Sequence, residues 1–408
     1  MHDQAPRHVL DGYKVLDFTQ YIAGPTVTRT MAQMGADIIK VEIAPGGDRT
    51  RDLPLIKNGR SGYFIQQNVG KKSLCIDLKS AAGLAIINDL IPHVDVVVEN
   101  FAPGVIARLG LDYETVRSIN PRIVMCSVST FGQQGPLAHL PGYDFIAQAY
   151  SGITYMIGEA DGPPYFPTAA LGDVSAGIHG ALAIVSALLF RERTGRGQYL
   201  DISLLDAYFP CHHTAVETYS LSGGAIKLRR SGHHLSYSAP SGMFKGHSRY
   251  IIIIAGIEHQ WRLLCAAMRM PELAADPRFA TNEARLENIA ALLAIIQDWI
   301  FSFPDDDAVI ARLAEHRVPA APVLSPDEAI NHPHLRQRGT ITEVRDPVVG
   351  RIELPGFPLH FSEFPNQLEV VAPTLGEHNE EILTRYLDYP PERVRALERD
   401  GTLHREPR

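Results

Sequence analysis

Cysteine is scarce in this chain. Four residues, at positions 75, 126, 211 and 265, are spread over 408. None forms a Cys-x-x-Cys pair or a Cys/His spacing suited to zinc. Lying mostly in apolar runs, they read as buried thiols of a reducing, cytoplasmic compartment. No Gly-x-Gly-x-x-Gly follows a predicted strand, so an NAD-dependent dehydrogenase lacks its fingerprint. There is no Gly-x-Ser-x-Gly elbow and no zinc-protease histidine helix, which counts against both hydrolase chemistries. Seventeen histidines include the adjacent pairs His212-His213 and His233-His234. Neighbouring side chains do not share a face, so neither pair makes a metal site by itself. Basic charge is not in excess. The net charge of −8 argues against nucleic acid as the main partner. The most apolar run, Tyr250–Ala255, is far too short to cross a membrane and reads as a buried strand. The polar start, Met1 to Pro6, has no signal-peptide core.

What is present is an ordinary globular composition, 45% hydrophobic and 21% charged, with length for two domains. The first 200 residues alternate strand and helix. Strands are predicted at Lys14–Phe18, Asp37–Glu42, Ser73–Leu78, Asp95–Glu99, Arg122–Ser127 and Gly197–Ser203. Near-continuous apolar strands in a βαβ rhythm indicate an α/β class with a parallel sheet covered on both faces. The chain divides into a large domain over 1–220, a smaller α+β domain over 225–325, and a segment 326–408 that returns to the large domain.

One segment stands out, Ala170-Leu171-Gly172-Asp173-Val174-Ser175-Ala176-Gly177, where a loop becomes a long apolar helix. Asp173 fits an N-cap whose carboxylate the helix dipole keeps ionised. It also fits a reachable nucleophile, although most aspartates so placed only cap a helix. Asp144, in Gly142-Tyr143-Asp144, is a helix cap or a second carboxylate that tunes Asp173. Asn100 and Phe101 follow a strand end that faces the ligand crevice of open sheets, with Arg108 close behind. They line that crevice or form an ordinary loop. Lys71-Lys72 is a cationic turn for phosphates or a solvated one. Arg49, Arg51 and Arg60 meet a second carboxylate or only water.

Taken in order, these segments resemble the class III CoA-transferase family, end to end. The likeness runs through Val15–Phe18, Gly35–Glu42, Gly46-Gly47-Asp48, Asn68–Asp77, Val98–Gly104, Gly142–Gly152, Gly172-Asp173, Thr194–Gln198, Asp201–Ala207 and Ala372–His378. The resemblance implies a Rossmann-like large domain built from both chain ends, a smaller domain, and two subunits interlocked as a homodimer. It puts the catalytic aspartate at Asp173, with Tyr143 and Asp144 beside it. Coenzyme A contacts fall on Gln20, Ile22, Ala23, Lys40, Lys71, Lys72, Asn100, Phe101 and Arg108. Acyl-CoA is then a substrate, with no resident cofactor or metal. CoA passes to a small carboxylic acid, a dicarboxylate by analogy, through an aspartyl anhydride and an aspartyl-CoA thioester. The segment Ala239–Met243 has few glycines and departs from the formyl-CoA:oxalate pattern. The alternatives are an α-methylacyl-CoA racemase and a non-catalytic CoA-binding homologue. Racemases of this fold carry histidine where this chain has Tyr143. Tyrosine, with a pKa of about 10 against about 6.5, is a poor base at neutral pH.

Overall fold

The computed structural model describes residues 6–368 and 370–406. They form two compact units. The first holds the chain up to Ser151, Thr168–His213, and Arg336 onward. Its centre is a six-stranded sheet made of β1 (Lys14–Asp17), β2 (Asp37–Ile43), β3 (Lys71–Ile76), β4 (Val96–Glu99), β5 (Val124–Ser129) and β6 (Tyr199–Ser203). All neighbours pair in parallel, in the order β3-β2-β1-β4-β5-β6. Leu16 sits in register between Ile39 and Val97. Each is buried on a sheet that helices cover on both faces, which is why these strands are runs of Val, Ile and Leu rather than alternating. The order reverses between β1 and β4, and such a reversal opens a crevice at the strands' C-terminal ends.

Five helices of this unit matter for the site: α1 (Ala23–Gln33), α2 (Ala81–Leu90), α3 (Asp144–Ser151), α4 (Leu171–Thr194) and α5 (Leu204–Tyr208). α2 lies over a core that includes Leu16, Ile39, Leu74 and Ile87. α4 is 24 residues long and apolar enough to pass for a membrane span by composition. Here it packs on α1. A Cβ on Gly177 would stand 2.5 Å from Thr26 Cβ and 3.0 Å from the Ala23 carbonyl oxygen, and one on Gly180 would stand 2.9 Å from Val27. The absent side chains let the two helices cross closely. α4 ends at Gly195 in the left-handed region, φ 74°, a conformation glycine adopts without strain.

The second unit holds Gly152–Pro167 and Thr214–Leu335. Its antiparallel sheet orders β9-β8-β7, with β7 at Ser241–Lys245, β8 at Tyr250–Ile254 and β9 at Ala320–Pro322. The isoleucine run alternates buried and exposed along β8, so it is a one-sided strand and not a fully buried one. Helices α6 (Glu258–Met268), α7 (Ile289–Phe301) and α8 (Asp306–Glu315) close its core around Trp261 and Ile296. Arg285 is fully buried there, and its guanidinium donates to the carbonyls of Ala239, Phe279 and Gly256.

Three boundaries differ from those read in the sequence. The second unit takes over at Thr214 and not after 220. Gly152–Pro167 falls in the second unit, where Arg230 donates to the carbonyls of Tyr155 and Gly162. The return to the first unit begins at Arg336 and not at 326, because Glu328 is paired to Arg249 at 3.3 Å. The returning segment forms the hairpin β10 (Ile341–Asp346) and β11 (Gly350–Pro355), then α9 (Asn379–Leu387). It is tied down by the Asn379 carboxamide, which accepts the Cys75 N–H and donates to the His404 carbonyl.

Substituting Gly177→Ala tests the α1–α4 crossing. Alanine favours helix, but its methyl meets the α1 backbone. The denaturation midpoint falls, corresponding to about 1–3 kcal/mol of overpacking. An unchanged or higher midpoint would show that the helices part freely.

Candidate active site

The crevice above β1 and β4 is a cavity of about 590 Å³. Its walls include Gln20, Tyr21, Arg49, Asn100, Phe101, Tyr143 and Asp173. The β1–α1 turn forms one wall and is clasped by a single side chain. The Gln20 N–H donates to Asn100 Oδ1 at 2.8 Å, and Asn100 Nδ2 donates to the Gln20 carbonyl at 2.8 Å. The next residue, Tyr21, is held at φ 67°, where non-glycine residues seldom rest. Its ring meets Tyr143 edge-on, centroids 6.0 Å apart. Gly24 allows the turn to close, since a Cβ there would fall 2.5 Å from Thr19 and 3.0 Å from Asn100. On the neighbouring strand end, the Phe101 N–H donates to Glu99 Oε2 at 2.8 Å. Burial pushes the Glu99 carboxyl up to about 7. Both amide groups of Asn100 thus serve the protein's own backbone, and Phe101 offers its ring to the cavity.

Asp173 is not the N-cap that its sequence setting suggests. The cap position is Ala170, which has no side-chain oxygen, and Asp173 is the third residue of α4. The missing cap is supplied from α3, where the Asp144 carboxylate accepts the Asp173 N–H at 2.9 Å. Asp144 is only 3% exposed, and its other oxygen accepts a hydrogen bond from the Tyr208 hydroxyl of α5. The Tyr208 ring lies so close to Gly172 that a Cβ there would stand 2.2 Å from it. Hence the residue before Asp173 is glycine. This arrangement reverses the electrostatic expectation. Burial, then the charge of Asp144, push the Asp173 carboxyl up to about 7. The dipole that was to hold it ionised is already answered by Asp144. Tyr63, missed in the sequence, also feels Asp173. Burial, then the charges of Asp173 and Asp48, push its phenol up. Tyr208 was missed too, since a lone tyrosine in a short helix carries no motif.

Of the three lysines expected at coenzyme A, two turn inward and Lys72 stays partly exposed. Lys40 is fully buried; its Nζ donates to the Thr19 carbonyl at 2.7 Å and pairs with Asp48 at 2.8 Å. Lys71 pairs with fully buried Asp17 at 2.9 Å, and burial pushes its amine down to about 8. Lys72 pairs with Asp37 at 3.1 Å and Glu381 at 2.9 Å. Lys71 and Lys72 are the first residues of β3 and not a turn. Ile22 precedes α1 and is partly buried, Ala23 is buried and lines the cavity, and Arg108 is exposed on the short helix Val105–Arg108. Of the three candidate arginines, Arg51 binds Glu42 at 2.7 Å and Arg60 is bonded to Asp346. Arg49 is exposed, lines the cavity, and has no carboxylate partner among the described residues.

Comparison with known proteins agrees with this architecture. The profile described as CoA-transferase family III matches residues 10–379. A mouse (Mus musculus) succinyl-CoA:glutarate CoA-transferase is 32% identical over 97% of this chain and 90% of its own length. A Streptomyces coelicolor formyl-CoA:oxalate CoA-transferase is 35% identical over 97% of this chain and 99% of its own. The crystal structure of a CaiB/BaiF family protein from Brucella suis superposes with a TM-score of 0.81 at 34% identity, covering 93% of this chain and 100% of that one. The chain belongs to CoA-transferase family III. It is an acyl-CoA:carboxylate CoA-transferase.

The lysine placement generates a test. Lys71→Met strands the Asp17 carboxylate in the core and costs about 3–5 kcal/mol in a denaturation experiment. Coenzyme A affinity of the folded variant stays within about twofold. A loss of affinity without a loss of stability would put Lys71 at the ligand.

Proposed function

We propose that Asp173 is the nucleophile of a CoA transfer to a small dicarboxylate. The observation that carries this reading is an aspartate on the cavity wall, at a helix start, paired through its own backbone to a buried second carboxylate. In the reaction, an Asp173 oxygen attacks the thioester carbonyl of the donor. The carbon–sulfur bond breaks, CoA leaves as thiolate, and an aspartyl mixed anhydride remains. The thiolate attacks the Asp173 carbonyl, the donor acid leaves as carboxylate, and an aspartyl-CoA thioester forms. An acceptor carboxylate attacks that thioester, giving a second anhydride and thiolate. The thiolate then takes the acceptor acyl group, and Asp173 returns as carboxylate. Each intermediate is water-sensitive, so a cavity with apolar walls such as Phe101, Val128 and Phe131 suits it. Asp144 holds the Asp173 backbone, and Tyr143, 67% exposed on the cavity wall, faces the incoming acyl group.

Arg49 is the cation of this cavity left for a second carboxylate, which supports the dicarboxylate reading. The mouse and Streptomyces relatives are named for glutarate and oxalate. We also read the protein as a cytoplasmic homodimer. Its support is the apolar stripe left exposed along α4 by Leu171, Val174, Ile178, Leu182 and Leu189. Spacings of three, four, four and seven keep these residues on one helix face.

Intact-protein mass spectrometry with an acyl-CoA panel tests the mechanism. A hydroxylamine-sensitive adduct maps to Asp173 and disappears in Asp173→Ala, which still binds coenzyme A. No adduct from any donor, with α-proton exchange on a branched acyl-CoA in deuterated water, would overturn it. The pH dependence follows from the raised carboxyl. Below about 7 Asp173 is neutral and unreactive, so kcat/KM falls about tenfold per unit on the acid side. Asp144→Asn removes the repelling charge and lowers that limb in part, since burial, the larger cause, remains. For specificity, Arg49→Gln raises KM for a dicarboxylate acceptor by about tenfold to a hundredfold. KM for a monocarboxylate stays unchanged; an equal effect on both would reassign Arg49.

A further inference from the structure

Tyr208 touches neither the cavity nor any atom that reacts. It is fully buried on α5, and its hydroxyl reaches the one group that supports Asp173. Three contacts define its place. The hydroxyl donates to Asp144 Oδ1. The ring presses on Gly172, leaving no room for a Cβ. Asp144 Oδ2 accepts the Asp173 N–H at 2.9 Å. A chain of hydrogen bonds therefore runs from the phenol through one carboxylate to the backbone of the other aspartate.

We propose that Tyr208 is a positioning residue that holds the Asp144 carboxylate against the start of α4, and so fixes the setting of Asp173. The proposal rests on Asp173 being the nucleophile. A hydrogen bond donated to a carboxylate favours its charged form. Asp144 receives two, from the Tyr208 hydroxyl and the Asp173 N–H. Asp173 sits beside it in a partly buried site, and like charges this close disfavour double ionisation. Tyr208 thus keeps the Asp144 carboxylate turned toward Asp173, where its charge adds to the effect of burial on the Asp173 carboxyl. The phenol is a dependable donor, because burial, then the bond to Asp144, push it above the usual tyrosine range.

Few other groups surround the two carboxylates. Gln148 of α3 and the Gly172 N–H also bond to Tyr208. Tyr63, on the helix Gly62–Asn68, lies within range of the charge of Asp173. Tyr21, Tyr143 and Arg49 line the cavity that Asp173 opens into. Among the described residues, no cation forms an ion pair with either carboxylate. Asp144 is therefore held by neutral donors, and the phenol is the side-chain donor that a single substitution removes.

The experiment is a carboxyl ¹³C titration of protein labelled at aspartate, with Asp173→Asn assigning the resonance. Wild-type Asp173 titrates at about 7. In Tyr208→Phe the Asp144 carboxylate is free to turn away, its repulsion of Asp173 weakens, and the Asp173 midpoint falls by about one pH unit. The acid limb of kcat/KM moves down with it. In an Asp144→Asn background the same substitution produces no further shift, because the carboxylate it acted through is gone. Incorporating 3-fluorotyrosine at 208 keeps the ring and supplies a more acidic donor, and it moves the midpoint upward. That arm decides the matter if Tyr208→Phe fails to fold. An unchanged midpoint in Tyr208→Phe, or an equal shift with and without Asp144, overturns the proposal. A shifted titration in a protein that transfers no CoA would sink the transferase mechanism and leave the role of Tyr208 standing.

Discussion

Two carboxylates compete for one helix start, and the site is organised around that competition. α4 begins at a residue without a capping side chain, so an acceptor must come from elsewhere, and Asp144 reaches in from α3. Once it does, Asp173 cannot also be the stabilised anion of that helix. It is left partly buried with a like charge next to it and a carboxyl pushed up to about 7. The same feature fixes its neighbours. Gly172 must lack a Cβ because Tyr208 needs the space to hold Asp144. Gly177 and Gly180 must lack one so that α4 lies close enough to α1 to bring Asp173 to the cavity.

Much of this was legible in the sequence, for a stated physical reason. Strands buried on both faces must be apolar throughout, and the valines of β4 and the run in β5 announce a parallel sheet with no alignment at all. Asp173 also announces itself, as an acidic residue among glycines at the start of a long apolar helix. What could not be read is which acid caps that helix. A cap is a matter of one hydrogen bond, and Asp144, 29 residues away, competes with the local residue on equal terms in any one-dimensional pattern.

The lysines show the opposite problem. A cation beside a strand looks the same whether it faces a phosphate or a buried aspartate, and the partners of Lys40 and Lys71 lie at Asp48 and Asp17, on other elements. Such buried pairs are costly to desolvate and tolerate no removal of one partner. They fix the spacing of β1, β2 and β3 under the cavity floor. The chain thus uses its most conspicuous charges as scaffold, while Arg49, unremarkable in its context, is left facing the open space. The boundary at Gly152–Pro167 was illegible for a simpler reason. That segment is too short to show a periodic pattern, and distant residues hold it, among them Arg230 on its backbone carbonyls and His233 on Glu159.

The clasp of Asn379 on β3 has a consequence for how the protein is made. The first unit is interrupted by the whole of residues 214–335, and β3 is bonded to residues that follow that interruption, with the Gly376 N–H on Ser73 and Asn379 on Cys75. During synthesis the edge strand of the main sheet therefore waits, unpaired on one side, until nearly the last residues have left the ribosome. The second unit, whose main span is continuous, is free to fold first. The nascent chain then carries an exposed strand edge for most of its translation. Chaperone demand in such a protein is set by the length of the insertion between the two halves of the first unit, independently of how stable the finished fold is.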